Sequence, residues 1–515
     1  MVKIFIDDKP IEVQEGTTVF HAAKNAGIAI PHLCYHPAIT SEGSCRMCLV
    51  EIEGAPKLEL ACSTQVRDGM KIFTQTEQVV EARKGVLEFL LAEHPPDCPI
   101  CDKAGECKLQ DYYEEFGLFE SKFDETKEKR QKKIEIGSNL VLDQERCILC
   151  TRCVRFFKEI TKTQELGVFE RGIHSEVNIY DETAIANQYA GNLVELCPVG
   201  AITDKDFRFQ TRSWFLKSGE SICPLCSRGC NIHIESHKGF SRFPVPKRVY
   251  RIRARRNDKI NKHWICDHGR YDYTYLNGNR LGEVLSFNGE NNYSYEDAIS
   301  FVGKQLNKLH DKKNLSKAVV VLHSRLSNEE LFLIKKIFKD SLDMERIFMV
   351  DPQDGDADDF LLTAERTSNK KGAKETGYDF GELSLEALTE KTDFLLVFDT
   401  FLTDHFAPAD IHKAFRSIKT KVLLSAHEIG ISSQFDIVLP VSLTAEKSGT
   451  ITNVDGIIQS FSQALEPVGD SRPEWEILID IGKNLNKDDP YYKQFSIPAD
   501  IYKALKNEVA FFGKK

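Results

Sequence analysis

The sequence predicts a multidomain chain, α+β in its front part and α/β behind, on three observations. Its 515 residues are too many for one ordinary core. All 15 cysteines lie at or before Cys266, so the front part is expected to consist of small domains that lean on metal for stability. Behind Cys266, apolar strand-like runs alternate with helical patterns, which favours a largely parallel sheet.

Composition narrows the class. With 41% hydrophobic and 28% charged residues the chain is neither disordered nor collagenous. Its start, Met1-Val2-Lys3-Ile4-Phe5-Ile6-Asp7-Asp8, puts charge where a signal peptide needs an apolar run, and no stretch approaches the ~18 apolar residues of a membrane span. A reducing compartment is therefore expected, with any membrane attachment made through partners. Closely spaced cysteines in such a compartment are ligands before they are disulfides, and their odd number argues against a closed disulfide framework. A net charge of -10 with scattered basic residues argues against a nucleic-acid partner. The denser basic runs, Lys127 to Lys133 and Lys247 to Arg256, read as solvated loops.

The first domain is expected over residues 1–77. Val2 to Ile6 and Pro10 to Val13 read as short strands about a turn at Asp7-Asp8-Lys9, and Thr18 to Ala26 as a helix stopped by Gly27. A long irregular loop then carries Cys34, Cys45, Cys48 and Cys62. A tight C-x2-C pair with one upstream and one distant cysteine is the plant-type [2Fe–2S] pattern, here with a stretched first interval. A four-cysteine zinc site usually joins two such pairs, and only one is present. Glu42, Gly43 and Ser44 precede Cys45, so small residues stand where backbone N–H groups can approach sulfur.

Residues 78–118 form the second expected domain. Val79, Val80, Val86, Leu87, Leu90 and Leu91 recur at helical spacing through Gln78 to Glu93. This helix runs into His94-Pro95-Pro96-Asp97-Cys98-Pro99-Ile100-Cys101, and Cys107 follows at the start of a second helix. A lone histidine at a helix end is more often a cap or a surface residue than a ligand. Here three local cysteines need a fourth donor for a [4Fe–4S] cluster, and His94 is the nearby candidate with the right reach. A neutral imidazole in place of a thiolate makes a cluster less negative and raises its potential.

The third domain, residues 137–215, holds Cys147, Cys150 and Cys153, the first half of the bacterial two-cluster motif C-x2-C-x2-C-x3-C-P. Phe157 and Lys158 stand where the last cysteine and proline belong. In the second half Cys197-Pro198 is kept, while Asn187, Ala190 and Leu193 occupy the other ligand positions. One [4Fe–4S] cluster is expected to survive, held by Cys147, Cys150, Cys153 and Cys197. A fourth group with its own spacing, Cys223, Cys226, Cys230 and Cys266, marks residues 216–275.

Residues 276–515 read as an α/β region. Ser294 with Asp297 is a helix cap, Lys317 to His323 and Arg346 to Val350 are strands about a helix from Asn328 to Lys339, and Asp393 to Phe398 and Lys421 to Ser425 repeat the strand signal. Neither a G-x-G-x-x-G after a strand nor a G-x4-G-K-[ST] is visible, so no dinucleotide fingerprint or phosphate-binding P-loop is expected.

The fourth cysteine group, with Asp267-His268-Gly269-Arg270 behind it, resembles the cluster segment of molybdopterin oxidoreductases. Asp436 to Pro440, Ala445-Glu446-Lys447, Gly449 to Gln459 and Trp475 resemble that superfamily's closing segments. The resemblance does not carry molybdenum with it. Relatives that ligate the metal through protein mostly use Cys, selenocysteine, Ser or Asp, and no cysteine follows Cys266. His268 stands where catalytic relatives often place a basic relay residue, and the tail is far shorter than a two-pterin domain. A retained, non-catalytic scaffold is expected.

In their order the motifs resemble the large iron-sulfur subunits of the proton-pumping NADH-quinone oxidoreductases, respiratory complex I. The resemblance implies an N-terminal β-grasp, [2Fe–2S] ferredoxin-like domain, a small His/Cys3 cluster domain, a ferredoxin-like [4Fe–4S] domain, and a truncated molybdopterin-oxidoreductase-like α/β region. It implies one [2Fe–2S] and three [4Fe–4S] clusters on the four donor groups, the last away from the main wire, with no molybdenum and no flavin in this chain. The implied partners are a flavoprotein NADH-oxidising subunit with FMN, a small [2Fe–2S] subunit, downstream iron-sulfur subunits and membrane subunits. The implied place is a peripheral arm on the cytoplasmic side of the inner membrane. Two other classes stay open: the electron-transfer arm of a soluble NAD-linked hydrogenase or formate dehydrogenase, and a zinc-stapled structural scaffold.

Overall fold

The computed structural model describes the chain apart from residues 118–119, 122, 181–182, 240–246, 288–292, 379–383, 400, 486–489 and 514–515. It divides into two units, Met1–Leu216 and Lys217–Lys515.

In the first unit β1 (Val2–Ile6) and β2 (Lys9–Val13) pair antiparallel about Asp7 and Asp8, both in the left-handed region. Helix α1 (Val19–Asn25) begins at Thr18, whose hydroxyl accepts the His21 N–H at 3.3 Å, and ends ahead of Gly27 at φ +74°. Strands β3 (Leu49–Ile52), β4 (Glu59–Leu60) and β5 (Lys71–Phe73) complete a five-stranded sheet in the order β2-β1-β5-β3-β4, with β1 and β5 parallel. Ile4, Ile6, Val50 and Ile72 from the sheet close over Val19, Phe20, Ala22 and Ala23 of α1. The alternation of the strands and the apolar face of α1 thus build one small core, with the cysteine loop at its edge.

Helix α2 (Glu77–Glu93) buries a narrower stripe than its sequence predicts, the single row Val79, Arg83 and Leu87. Phe89 is exposed, and the buried Arg83 donates Nη2 to the Leu49 carbonyl at 2.8 Å. Helix α3 (Lys108–Phe116) starts directly after Cys107, as expected, and stops at Gly117 in the left-handed conformation. Then come β6 (Ile134–Glu135), β7 (Leu140–Leu142), α4 (Arg152–Phe156), β8 (Leu166–Phe169), β9 (Glu176–Ile179), α5 (Asn192–Leu196) and β10 (Ile202–Asp204). β10, β7 and β6 make an antiparallel sheet, and β8 with β9 a hairpin.

In the second unit β11 (Leu216–Ile222), β12 (Asn231–His237) and β13 (Val249–Ala254) form a three-stranded sheet. β13 corrects the expectation of a solvated loop over Lys247 to Arg256. Its Arg251 is buried, with Nε 2.6 Å from Glu235 Oε2 on the facing strand β12. Neutralisation across the ladder is what lets a basic run enter a sheet. The other run, Lys127 to Lys133, is irregular as expected, though Lys127 Nζ is tied to the Leu91 and Ala92 carbonyls at 2.5 and 2.6 Å.

The α/β body comprises α6 (Asp267–Tyr271), β14 (Leu285–Ser286), α7 (Tyr295–Asp311), β15 (Ala318–Leu322), α8 (Asn328–Ile334), β16 (Ile347–Met349), α9 (Lys370–Thr376), α10 (Leu385–Thr389), β17 (Phe394–Phe398), α11 (Leu402–His405), α12 (Pro408–Phe415), β18 (Thr420–Ser425) and β19 (Ile437–Pro440). Ser294 caps α7 as expected, accepting the Asp297 N–H at 3.2 Å. The helix expected to Lys339 is α-helical to Ile334 and continues as a wider π-turn over Lys335–Ser341. The sheet runs β14-β19-β18-β17-β15-β16, with every pair parallel except β14 with β19. With β15 between β16 and β17 it is doubly wound. β15 and β17 are buried along their whole length, as their unbroken apolar runs require. The hairpin β20 (Gly449–Thr452) and β21 (Ile458–Phe461), α13 (Glu474–Leu485) and α14 (Pro498–Glu508) follow. Among the described residues no helix is long and apolar enough to cross a membrane.

Candidate metal centres

The first donor group sits on the loops around β3. Antiparallel pairing of Leu49 with Leu60 sets Cys48 and Cys62 near one end of the β3–β4 ladder. Cys34, Cys45, Cys48 and Cys62 are all buried. They form two hydrogen-bonded sulfur pairs: the Cys45 thiol pulls Cys34 down and is itself pushed up, and Cys48 does the same with Cys62. The Cys34 N–H also donates to Cys45 Sγ at 3.3 Å, and the Ser44 and Ser41 hydroxyls reach Cys34 and Cys62. Gly43, at φ +72°, lies where a Cβ would come within 2.9 Å of Leu60 Cδ1. The small residues ahead of Cys45 therefore let the loop close on sulfur.

The second group surrounds a cavity. His94, Cys98, Cys101 and Cys107 line it together with Leu91, Pro95, Pro96, Ala104 and Gly200. Burial pushes the His94 imidazole down to about 4, so it is neutral at pH 7, and its Nδ1 is buried with no hydrogen-bond partner among the described residues. A neutral ring with an unpartnered buried nitrogen at a cysteine-lined cavity is chemically able to ligate a metal. Burial also raises Cys101, and it takes Cys107 up to about 11. Such thiols ionise only where a bound cation offsets the charge. The loop is held by Arg146, whose Nη2 and Nε reach the Asp97 carboxylate at 2.6 and 3.2 Å, and by Arg212, which donates to the Cys101 carbonyl at 2.6 Å and to that of Pro99. At Gly200 a Cβ would collide with Cys101 Sγ.

The third group encloses a smaller cavity, lined by Cys147, Cys150, Cys153 and Cys197 with Leu142, Ile148, Val177, Val199 and Ile202. Leu149 and Thr151 have φ of 51° and 55°, and this winding turns the Leu149 and Arg152 N–H groups toward the Cys147 and Cys150 sulfurs. Burial takes Cys147 to about 12 and Cys150 to about 11, and raises Cys153 well above the ordinary thiol range. The positions that would serve a second cluster are given over to packing. Phe157 is fully buried against Phe156, ring centres 5.5 Å apart, Ala190 and Leu193 are buried, and Asn187 Oδ1 accepts the Tyr189 N–H at 2.9 Å.

In the fourth group the Cys223 N–H donates to the Cys230 carbonyl at 2.8 Å and the Gly269 N–H to Cys266 Sγ at 3.4 Å. A Cβ on Gly269 would lie 3.3 Å from Cys223 Sγ and 3.7 Å from Cys266 Sγ, so these two sulfurs flank the glycine. Cys226 is electrostatically coupled to Cys223, Cys230 and Cys266. Burial raises Cys223 and Cys230 strongly and takes Cys266 to about 12. His268 is exposed and pairs with Asp272 at 2.8 Å.

Each expected donor set is thus gathered within its own unit. Among the described residues no three His, Cys, Asp or Glu side chains are placed to hold a single metal ion, whereas the second and third sets spread round cavities. Sequence reasoning missed the buried cations between these groups: Arg83, coupled to Cys48, and Arg152 and Arg155, each coupled to cysteines of two groups. The available signal was the arginines lodged in and just after the Cys150-Thr151-Arg152-Cys153 turn.

Comparison with known proteins adds to this geometry. A 2Fe-2S iron-sulfur cluster binding domain matches residues 1–77, the NADH-ubiquinone oxidoreductase-G iron-sulfur binding region residues 83–122, and the ferredoxin-like domain of NADH-quinone oxidoreductase subunit 3 residues 137–203. The molybdopterin oxidoreductase family matches residues 201–484, over half of the chain. The NADH-ubiquinone oxidoreductase 75 kDa subunit of Reclinomonas americana is 39% identical over 339 residues, 65% of this chain and 47% of that protein. The G subunit of the Rickettsia conorii NADH-quinone oxidoreductase is 38% identical over 66% of this chain and 49% of its own length. The mitochondrial NADH dehydrogenase [ubiquinone] iron-sulfur protein 1 of Solanum tuberosum is 37% identical, with shares of 68% and 46%. The chain spans about half the length of the curated relatives it matches. Among solved structures, a chain of an NAD+-reducing [NiFe]-hydrogenase in the H2-reduced state is 34% identical, covering 41% of this chain and 90% of that one, at a TM-score of 0.38.

Proposed function

Since this chain belongs to the molybdopterin oxidoreductase family and bears the iron-sulfur domains of the large NADH-quinone oxidoreductase subunits, we propose that it relays single electrons from a flavoprotein partner toward quinone. Cys34, Cys45, Cys48 and Cys62 hold a [2Fe–2S] cluster. His94 with Cys98, Cys101 and Cys107, Cys147 with Cys150, Cys153 and Cys197, and Cys223 with Cys226, Cys230 and Cys266 hold [4Fe–4S] clusters. The observation that carries this reading is His94, neutral, with an unpartnered buried Nδ1, in one cavity with three cysteines.

Bound clusters supply reversible one-electron storage. The chain itself ligates them, walls them from water, and turns N–H and hydroxyl donors toward sulfur, which sets potential. Leu142, Val177, Val199 and Ile202 wall the third site, and Ser41 and Ser44 serve the first. Residues 276–515 act as a scaffold without molybdenum. The partners are an FMN-bearing NADH-oxidising subunit, a small [2Fe–2S] subunit, and further iron-sulfur and membrane subunits, in a peripheral arm on the cytoplasmic side of the inner membrane.

Low-temperature EPR of the anaerobically purified, dithionite-reduced chain, with iron, zinc and molybdenum quantified, tests this. About fourteen irons per chain, one slowly relaxing [2Fe–2S] signal and faster-relaxing [4Fe–4S] signals are expected. Zinc without a reducible signal overturns the reading in favour of a structural scaffold, and stoichiometric molybdenum in favour of a dehydrogenase.

A further inference from the structure

Two buried arginines of α4 join the first donor group to the third. Arg155 Nη2 donates to the Cys34 carbonyl at 2.7 Å and to the Cys150 carbonyl at 2.9 Å, so one nitrogen touches a ligand-bearing peptide of each group. Its Nη1 donates to the Thr40 carbonyl and its Nε to Thr151 Oγ1 at 3.1 Å, while Glu42 Oε2 lies 3.4 Å away. Arg152 repeats the pattern one turn earlier: Nη1 donates to the Leu196 carbonyl, next to Cys197, at 3.0 Å, and Nη2 to the Tyr35 carbonyl, next to Cys34. Its charge is coupled to Cys150, Cys197, Cys34 and Cys45. Both side chains are buried, at 5% and 8% exposure, where a fixed cation acts through a low dielectric. A guanidinium holds several acceptors in a planar fork, which an ammonium does not.

We propose that Arg152 and Arg155 are positioning residues that clamp the first and third centres side by side and, as a cation pair shared by both, raise the potentials of both together. This rests on the iron-sulfur reading above. Each centre gains one negative charge on reduction, and a cation close to both favours the added electron at either. The clamp holds the separation of the two centres fixed, because it binds the Cys34 and Cys150 carbonyls and those of Tyr35 and Leu196 beside Cys34 and Cys197.

The test is a redox titration of the full chain followed by low-temperature EPR, in wild type and in R152Q, R152K, R155Q and R155K, with iron content measured for each. The expected result for R152Q is a downward shift of the midpoint potentials of both the [2Fe–2S] and the third-group [4Fe–4S] signals. R152K restores the potentials by restoring the charge. R155Q is expected to weaken the relaxation enhancement of the [2Fe–2S] signal by its reduced neighbour, and R155K to recover it only in part, because the fork is lost. Full iron content with potentials and relaxation unchanged overturns the proposal, as does a shift confined to one centre. A wild-type chain without reducible iron removes the cluster reading and this inference with it.

Discussion

The proposed role of His94 rests on one neutral side chain with a buried ring nitrogen. As the proposed fourth ligand, with its ring neutral and one nitrogen unpartnered, it would give a donor without charge, so H94A is expected to lose about four irons per chain, while H94C keeps them with a lower midpoint potential for that cluster. Iron analysis and an EPR redox titration read both outcomes. His323 gives a pH prediction in the second unit. Burial, with Arg325 and Lys447 nearby, pushes its ring down to about 3, and its Nδ1 accepts the Arg325 N–H at 3.1 Å. The unfolded chain, with a histidine near 6.5, binds the extra proton first, so stability present above 6.5 is lost as pH falls through that window toward 3. Urea midpoints at pH 7, 5.5 and 4.5 are expected to fall less steeply in H323Q than in wild type.

At the scale of elements, the approach of β10 to the His94 loop depends on a missing side chain. Gly200 faces Cys101 Sγ directly, so G200A is expected to lose the second cluster while the [2Fe–2S] EPR signal persists. Most elements were legible because their signals are local: alternation in β1, the unbroken apolar run of β15, the cap at Ser294 and the helix stop at Gly27. What stayed hidden depends on partners far along the chain. Lys247 to Arg256 reads as solvated by charge alone, and only the facing Glu235 of β12 makes it a buried strand. Likewise Arg83 breaks the apolar pattern of α2, and of its guanidinium nitrogens only Nη2 finds a partner among the described residues, the Leu49 carbonyl. Spacing groups the cysteines proposed as ligands, whereas the arginines beside them show in the sequence only by standing in and just after the Cys150-Thr151-Arg152-Cys153 turn, and their burial depends on carbonyls far along the chain.

For the molecule as a whole, the two units are held together internally by different means. The second rests on an extended apolar core, in which a charged knot is set: Lys447 Nζ lies 2.8 and 2.9 Å from the Glu330 carboxylate and 2.6 Å from Glu474 Oε2, all three buried. Removing the cation strands two carboxylates, so K447M is expected to cost about 3–5 kcal/mol in urea unfolding. The triple variant K447M/E330Q/E474Q recovers much of that loss. The first unit has smaller cores and returns repeatedly to its proposed metal donors. Cys197 closes the third set, and Gly200 and Arg212 close on the second. A ribosome delivers residues in order, so the third pocket is not complete until about Ile202 has emerged, nor the second until about Arg212. Until then the thiols from Cys98 to Cys153 stand open to oxygen and to stray zinc. On the iron-sulfur reading proposed above, this order calls for iron loading after synthesis of the whole first unit.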